Sequence, residues 1–243
     1  MNTGLIKKFK DLKINIIDSK EGDIHITSFP KCGRNYISFL LANYIIEYLE
    51  INDKITFENF REYISTTKPC KPKNTKLNRI FTSHMKYYPN KYKNILLVRH
   101  PVNMLESYYY YCTNRYKLFN GNFSEFIRDN KFGIPYLKKY LNSWFDNANL
   151  IIKYEDLRHN NLKDFQIILK YLNMEVTEEK LKKCHFSSDF KRMKELDGNI
   201  NTNASFVRKG LSNGKSDLFT KNDINYMNKM LKTEMKFLSY TTE

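Results

Sequence analysis

Asp23-Ile24-His25-Ile26-Thr27-Ser28-Phe29, followed at once by Pro30-Lys31-Cys32-Gly33-Arg34-Asn35-Tyr36, is the stretch that decides how this chain folds. The first seven residues put Ile24 and Ile26 on one face of an extended segment, and the breaker cluster from Pro30 to Gly33 ends it. Beyond the break, Ile37, Leu40, Leu41, Tyr44, Ile45, Tyr48 and Leu49 recur at the spacing of a helix that buries one stripe against a sheet. The predicted unit is strand, tight loop, helix. Such a loop offers a phosphate backbone N–H groups, the positive end of a helix and a cation, Lys31. It lacks the G-x-x-x-x-G-K-[ST] spacing of nucleoside triphosphatases, which argues against an ordinary ATPase or kinase. Taken alone, the segment equally describes a βα turn with a solvated lysine.

Three further extended runs are Arg79 to His84, Ile95 to Val98 and Leu150 to Tyr154, each short and rich in branched residues. Continuous apolar runs suit a parallel sheet covered on both faces. Between them Leu137, Tyr140, Leu141, Trp144 and Phe145 mark a helix face, and Thr177 with Glu178 and Glu179 predicts a capped helix start. The chain from about Asp223 to Leu238 reads as helical. The segment from Phe186 to Thr220 has no strong period and reads mainly as a long ordered loop, and Ile51 to Asn78 carries little pattern. A length of 243 residues suits one α/β domain better than two small ones. The expected architecture is therefore a single domain over residues 1–243, with a central, mostly parallel sheet flanked by helices.

Hydrophobic content of 41% with 18 Tyr and 17 Phe excludes the aromatic-poor disordered class. The net charge of +15 attracts anions in general, whether nucleic acid, anionic membrane or a polyphosphorylated ligand. Its basic residues are spread along the chain with no tight Lys/Arg run, so most are expected on solvated helix faces, with no specific nucleic-acid partner. Cys32, Cys70, Cys112 and Cys184 lie 38, 42 and 72 residues apart with no C-x-x-C pair, which predicts reduced thiols and no metal site. No window approaches the ~18 apolar residues that span a bilayer, and the N-terminus has no continuous apolar stretch. A cytoplasmic protein without a membrane span is expected.

Two later motifs join the loop. Leu97-Val98-Arg99-His100-Pro101 puts an arginine at a strand end, with Ser107 eight residues on, along a helix that Pro101 can start. Phe206-Val207-Arg208-Lys209-Gly210 adds adjacent cations and a glycine that allows close backbone approach. In order and spacing the three elements resemble the cytosolic sulfotransferase family, which carries Tyr-Pro-Lys-Ser-Gly-Thr-Thr-Trp, an Arg-Asp-Pro with a Ser eight residues after the Arg, and a late Arg-Lys-Gly. The resemblance runs from about Asp23 to Thr220 and is reinforced by Tyr154-Glu155-Asp156-Leu157 and by Phe190 with Met193.

That resemblance implies a P-loop-like sulfotransferase fold and transfer of a sulfuryl group from 3′-phosphoadenosine 5′-phosphosulfate (PAPS) to a hydroxyl or amine, releasing 3′,5′-ADP without a metal. It implies that Lys31 contacts the bridging oxygen and that the loop of Cys32, Gly33, Arg34, Asn35 and Tyr36 holds the 5′-phosphate. Arg99, Ser107, Arg208, Lys209 and Gly210 would hold the 3′-phosphate, Tyr36 and Phe190 would sandwich the adenine, and Tyr154 would lie at its edge. Thr82-Ser83-His84-Met85 matches the segment that presents a catalytic base, which makes His84 the candidate. A group with an ordinary pKa of ~6.5 suits proton removal from an acceptor hydroxyl. The acceptor implied is a small molecule, lipid or saccharide.

The chain departs from the family pattern in places. The family's lysine two residues before the histidine is Thr82 here, with Lys86 as the substitute to consider. His100 stands for an aspartate, and Cys32 for a serine; a thiol beside a lysine at a helix start is either unusually acidic or an inert small residue. The stretch from Lys215 to Asp223 lacks the spacing of the family's dimerisation motif, so no oligomeric state is implied. Two other readings stand beside this one. Gly210-Leu211-Ser212-Asn213-Gly214-Lys215-Ser216, one residue short of the ATPase spacing, suggests a nucleotide kinase-like enzyme, and the charge with Tyr108-Tyr109-Tyr110-Tyr111 suggests a nucleic-acid-binding module.

Overall fold

Alternation along short apolar runs builds the sheet. The computed structural model describes residues 21–66, 77–158, 162–196 and 215–241, without the side chain of Phe190. Five strands, β1 (Ile24–Ser28), β2 (Ser65–Thr66), β3 (Ile80–Ser83), β4 (Lys93–Val98) and β5 (Leu150–Lys153), form one sheet in the order β2-β3-β1-β4-β5. Every pairing is parallel; β1 aligns Ile24 with Ile80 on one side and with Lys93 on the other. Ile95 and Leu97 enter the core on one face, and Leu96 and Val98 the core on the other, as the two-residue period requires. All four predicted strands form within a residue or two of their expected ends.

One face is covered by α1 (Arg34–Tyr48), α7 (Lys163–Tyr171) and α8 (Glu178–Ser187), together with the short α2 (Phe60–Tyr63), α6 (Tyr154–Arg158) and α9 (Phe190–Leu196). The other carries α3 (Pro101–Tyr110), α4 (Phe123–Arg128), α5 (Ile134–Trp144), α10 (Lys221–Met230) and α11 (Lys232–Phe237). The expected starts hold: Pro101 opens α3, and the Thr177 side chain accepts from Lys180 N–H to cap α8.

Several expectations need correction. The helix after the loop does not bury one stripe: Tyr36 through Ile46 are all buried, because α8 and α2 cover the side that the sheet does not. The predicted C-terminal helix is two, broken at Leu231. Within Phe186 to Thr220, the first residues finish α8 and Phe190–Leu196 form α9, so the stretch is not simply a loop. Ile51 to Asn78 contributes α2 and the edge strand β2, two elements too short to leave a period. Cys32, Cys112 and Cys184 are free and buried; Cys70 lies outside the described residues.

His25 is a polar residue at the centre of β1, wholly buried and stacked on Phe81 at 4.5 Å. Asn94 Oδ1 only accepts, so Nδ1–H donates to it (3.2 Å), and Nε2 accepts from the Ser83 hydroxyl (2.7 Å). Burial, only partly offset by the Asn94 bond, lowers the imidazole from its ordinary 6.5 to about 4. The unfolded chain therefore binds a proton below pH ~6.5 that the folded chain refuses until pH ~4, so stability falls as the pH drops through that window. We expect a loss of ~3 kcal/mol between pH 6.5 and 4 from this residue. Urea unfolding midpoints across that range should show it, and His25→Gln should flatten the dependence; an equal slope in both proteins would refute the assignment.

Candidate active site

Because every strand runs the same way, all the carboxyl ends meet at one edge of the sheet. The chain leaves β1 first toward β2 and β3 on one side and later toward β4 and β5 on the other, so the crevice outside β1 is a topological switch point. The loop there needs left-handed backbone at Lys31 (φ 70) and Gly33 (φ 96). Gly33 has a further reason to be glycine: a Cβ would lie 2.2 Å from a ring carbon of Tyr154, the residue after β5. The loop thus folds down onto Tyr154. The N-cap of the α1 that follows is Gly33, which has no side chain to cap it, and its first turn holds no acidic residue, so among the described residues its positive end stays available to an anion.

Arg99, directly after β4, holds the loop from the other side. Its Nη1 donates to the Lys31 carbonyl (2.9 Å), and its guanidinium lies 4.6 Å from the centre of the Tyr154 ring. Tyr36 is buried with its hydroxyl donating to Leu157 O (3.2 Å) and its ring edge-on to Tyr154. The Lys31 ammonium sits 5.0 Å over the ring of Tyr111. Tyr111 opens a π-helical turn, Tyr111–Arg115, that ends α3; such wide turns recur at functional sites. Cys32 is not an acidic thiol: burial pushes it up to about 12 against the weaker pull of Arg99. It is the inert small residue of the two alternatives.

His84 follows β3, one strand over from the loop. Its Nδ1 lies 2.7 Å from the carbonyl oxygen of Ser28, the last residue of β1. A carbonyl only accepts, so Nδ1 carries the proton and Nε2 is the basic ring nitrogen. Thr82 is fully buried with its hydroxyl toward Ser65 O (3.4 Å), so it does not face the loop. The exposed Lys86 lies 4.9 Å over the Tyr136 ring.

The structure therefore brings Lys31, Cys32, Gly33, Tyr36, Arg99 and Tyr154 together, with His84 on the neighbouring strand end. Asn35 and Ser107 are half-buried, on the first turn of α1 and nearly two turns into α3. Arg208, Lys209 and Gly210 lie outside the described residues, as does the side chain of Phe190. Sequence reasoning missed the support behind the loop. Buried Glu155 accepts from His100 N–H (2.9 Å) and from the Tyr240 hydroxyl (2.8 Å). His100 accepts from Val102 N–H at its Nδ1 and so caps α3, the task a short acidic side chain performs elsewhere, while Nε2–H donates to Thr241 O. Nothing in the spacing of Glu155 and Tyr240, 85 residues apart, announces their contact.

A model of the sulfotransferase domain matches residues 21–239. The chain belongs to the sulfotransferase family. As such it is a transferase whose reaction is sulfuryl transfer. Mouse sulfotransferase 1 family member D1 is 26% identical, with 93% of this chain and 90% of that protein aligned. Mouse sulfotransferase 1B1 is 25% identical over 93% of this chain and 88% of its own. Among solved structures, mouse sulfotransferase SULT7A1 complexed with PAP superposes with a TM-score of 0.65 at 20% identity, over 92% of this sulfotransferase and 88% of that chain. Retinol dehydratase in complex with androsterone and inactive cofactor PAP gives 0.70 at 15% identity, over 97% and 87%. These two likenesses show the fold. No group of three or more potential metal ligands occurs among the described residues, and no described helix is long and apolar enough to cross a membrane.

Proposed function

We propose that this sulfotransferase, a single domain over residues 1–243, moves the sulfuryl group of PAPS to a hydroxyl or amine of a small-molecule, lipid or saccharide acceptor, with Lys31 and His84 as catalytic residues. The observation that carries the reading is the pairing of the Lys31 loop with a neighbouring His84 whose Nε2 is the basic nitrogen. The loop fits the donor on its own terms. Gly33 lets the loop close onto the Tyr154 ring, the N-cap position it occupies offers no side chain to the start of α1, and the buried Nε of Arg34 has no hydrogen-bond partner among the described residues. PAPS supplies an activated sulfuryl group whose leaving group is 3′,5′-ADP.

The rest is the work of this chain's residues. Backbone N–H groups from Cys32 to Tyr36 and the positive end of α1 hold the 5′-phosphate, and the Lys31 ammonium neutralises charge that grows on the bridging oxygen. Arg99, Ser107, Arg208, Lys209 and Gly210 hold the 3′-phosphate, and the guanidinium of Arg99 keeps its second task of fixing the loop through Lys31 O. Tyr36, Phe190 and Tyr154 enclose the adenine. His84 Nε2 takes the acceptor's proton while the Ser28 carbonyl keeps the ring in place.

The kinase-like alternative gains nothing from the described residues: none of them forms a strand between β5 and Lys215, and the five residues before Lys215 lie outside the described chain. In the tyrosine run, Tyr108 is buried and Tyr109 to Tyr111 are half-buried and packed on neighbouring rings, which suits a wall better than a stacking platform for bases. Sulfur-labelled PAPS offered with phenols, sugars, lipids and amines tests the reading. Label should move to at least one class with release of equimolar 3′,5′-ADP; label retained in PAPS across all four, by folded protein that binds 3′,5′-ADP, would overturn it.

A further inference from the structure

Sulfuryl transfer spreads negative charge over the sulfuryl oxygens, the bridging oxygen and the 5′-phosphate, yet the site described so far offers one cation there, Lys31. Thr82 occupies the place of a second and is buried against β2, and Lys86 stays at the surface over Tyr136. Arg34 differs from both. It is the first residue of α1, and its Nε is buried with no hydrogen-bond partner among the described residues. Among the described residues, the charges that act on it are those of Arg61, which repels it, and of the phenols Tyr111 and Tyr140. Burial raises Tyr111 to about 12 and Tyr140 well above its ordinary value, so neither is an anion near neutral pH. Burial first, and Arg61 second, accordingly lower the guanidinium to about 10. Arg34 is half-buried, and a charge that loses part of its water with no anion beside it among the described residues gains when a ligand supplies one. Tyr111 is also the ring beneath the Lys31 ammonium, so the two cations approach one side chain from the loop and from the helix start.

We propose that the Arg34 guanidinium is a further catalytic group, contacting the sulfuryl oxygens of PAPS and supplying the cation that Thr82 does not. This rests on the reading of the Lys31 loop as the sulfuryl site. In the step, the acceptor oxygen forms the new O–S bond and the S–O bond to the 5′-phosphate breaks with its electron pair leaving on 3′,5′-ADP. The acceptor proton passes to His84 Nε2. Arg34 donates N–H bonds throughout and neither gains nor loses a proton; a delocalised guanidinium suits that part because it stays charged and presents several donors in a plane.

The comparison that tests this is the affinity of wild type, Arg34→Met and Arg34→Lys for PAPS and for 3′,5′-ADP, which lacks the sulfuryl group. Titration calorimetry reads both without turnover. Arg34→Met should lose ~10–100-fold in PAPS affinity and stay within about twofold for 3′,5′-ADP, as expected for lost charge-assisted bonds to the sulfuryl oxygens alone. Arg34→Lys should recover part of the loss. Equal losses for both ligands would place Arg34 on the 5′-phosphate and refute the proposal. Unchanged affinities with a raised acceptor KM would refute it in favour of an anionic acceptor, and a lowered unfolding midpoint alone would make Arg34 structural. A folded wild-type protein that binds neither ligand would overturn the reading of the loop itself.

Discussion

Replacing His84 by alanine is expected to lower turnover by the ~10²–10⁴-fold that a positioned general base contributes, while 3′,5′-ADP binds as before. The two effects separate because His84 stands after β3 and holds Ser28 at the end of β1, ahead of the loop. Its Nδ1–H is held by the Ser28 carbonyl at 2.7 Å, which fixes the tautomer and aims Nε2, whereas the loop is shaped by Arg99 after β4 and by the closeness of Gly33 to Tyr154 after β5. Alanine leaves Ser28 O without that donor, at a cost of ~1–3 kcal/mol of stability if no water replaces it. The unfolding midpoint is therefore measured beside the rate. His84→Gln, which keeps a donor toward Ser28 O and has no basic nitrogen, should be as inactive as alanine and more stable. Turnover within tenfold of wild type in both variants would assign proton removal to another group.

Gly33→Ala should be as damaging for a different reason. At φ 96 an alanine is strained, and its Cβ would sit 2.2 Å from Tyr154, a distance that real carbon atoms do not adopt. Strain of ~1–3 kcal/mol adds to an overpacking cost of about the same size, so a loss of ~2–6 kcal/mol is expected. Relief requires the loop or the Tyr154 ring to move, and either displaces Lys31, whose carbonyl is held by Arg99 above that ring. Cofactor affinity should fall with stability. Urea unfolding and 3′,5′-ADP titration of the variant check this, and native values in both would show that the loop does not depend on the contact.

The parts of this protein legible in its sequence are those set by local chemistry. The run from Asp23 to Tyr36 announces strand, loop and helix because a two-residue period meets a breaker cluster and then a helical period, and all three elements form there. Arg99 and Tyr154 stand at strand ends that apolar runs had already marked, so the sheet delivers both to the loop. His84 could be named only through its family likeness; its tautomer depends on the Ser28 carbonyl, which no pattern places beside it. What stayed hidden depends on long-range packing. Residues 65–66 become a strand by pairing with β3, and a two-residue element has no period to read. Buried Glu155 acquires its role from His100 and from Tyr240 near the end of the described chain, and Arg34 meets the charges of Arg61, Tyr111 and Tyr140 only through the fold. A sequence shows such residues as charges and does not show which of them lose their water.

The measurement that bears most directly on the central claim is a calorimetric titration of the wild-type protein with 3′,5′-ADP and, separately, with ATP plus magnesium. A loop that seats a 5′-phosphate beside an arginine-lined 3′-phosphate site predicts saturable one-to-one binding of 3′,5′-ADP and at least tenfold weaker binding of ATP with magnesium. Binding of ATP and magnesium with no heat from 3′,5′-ADP would contradict it.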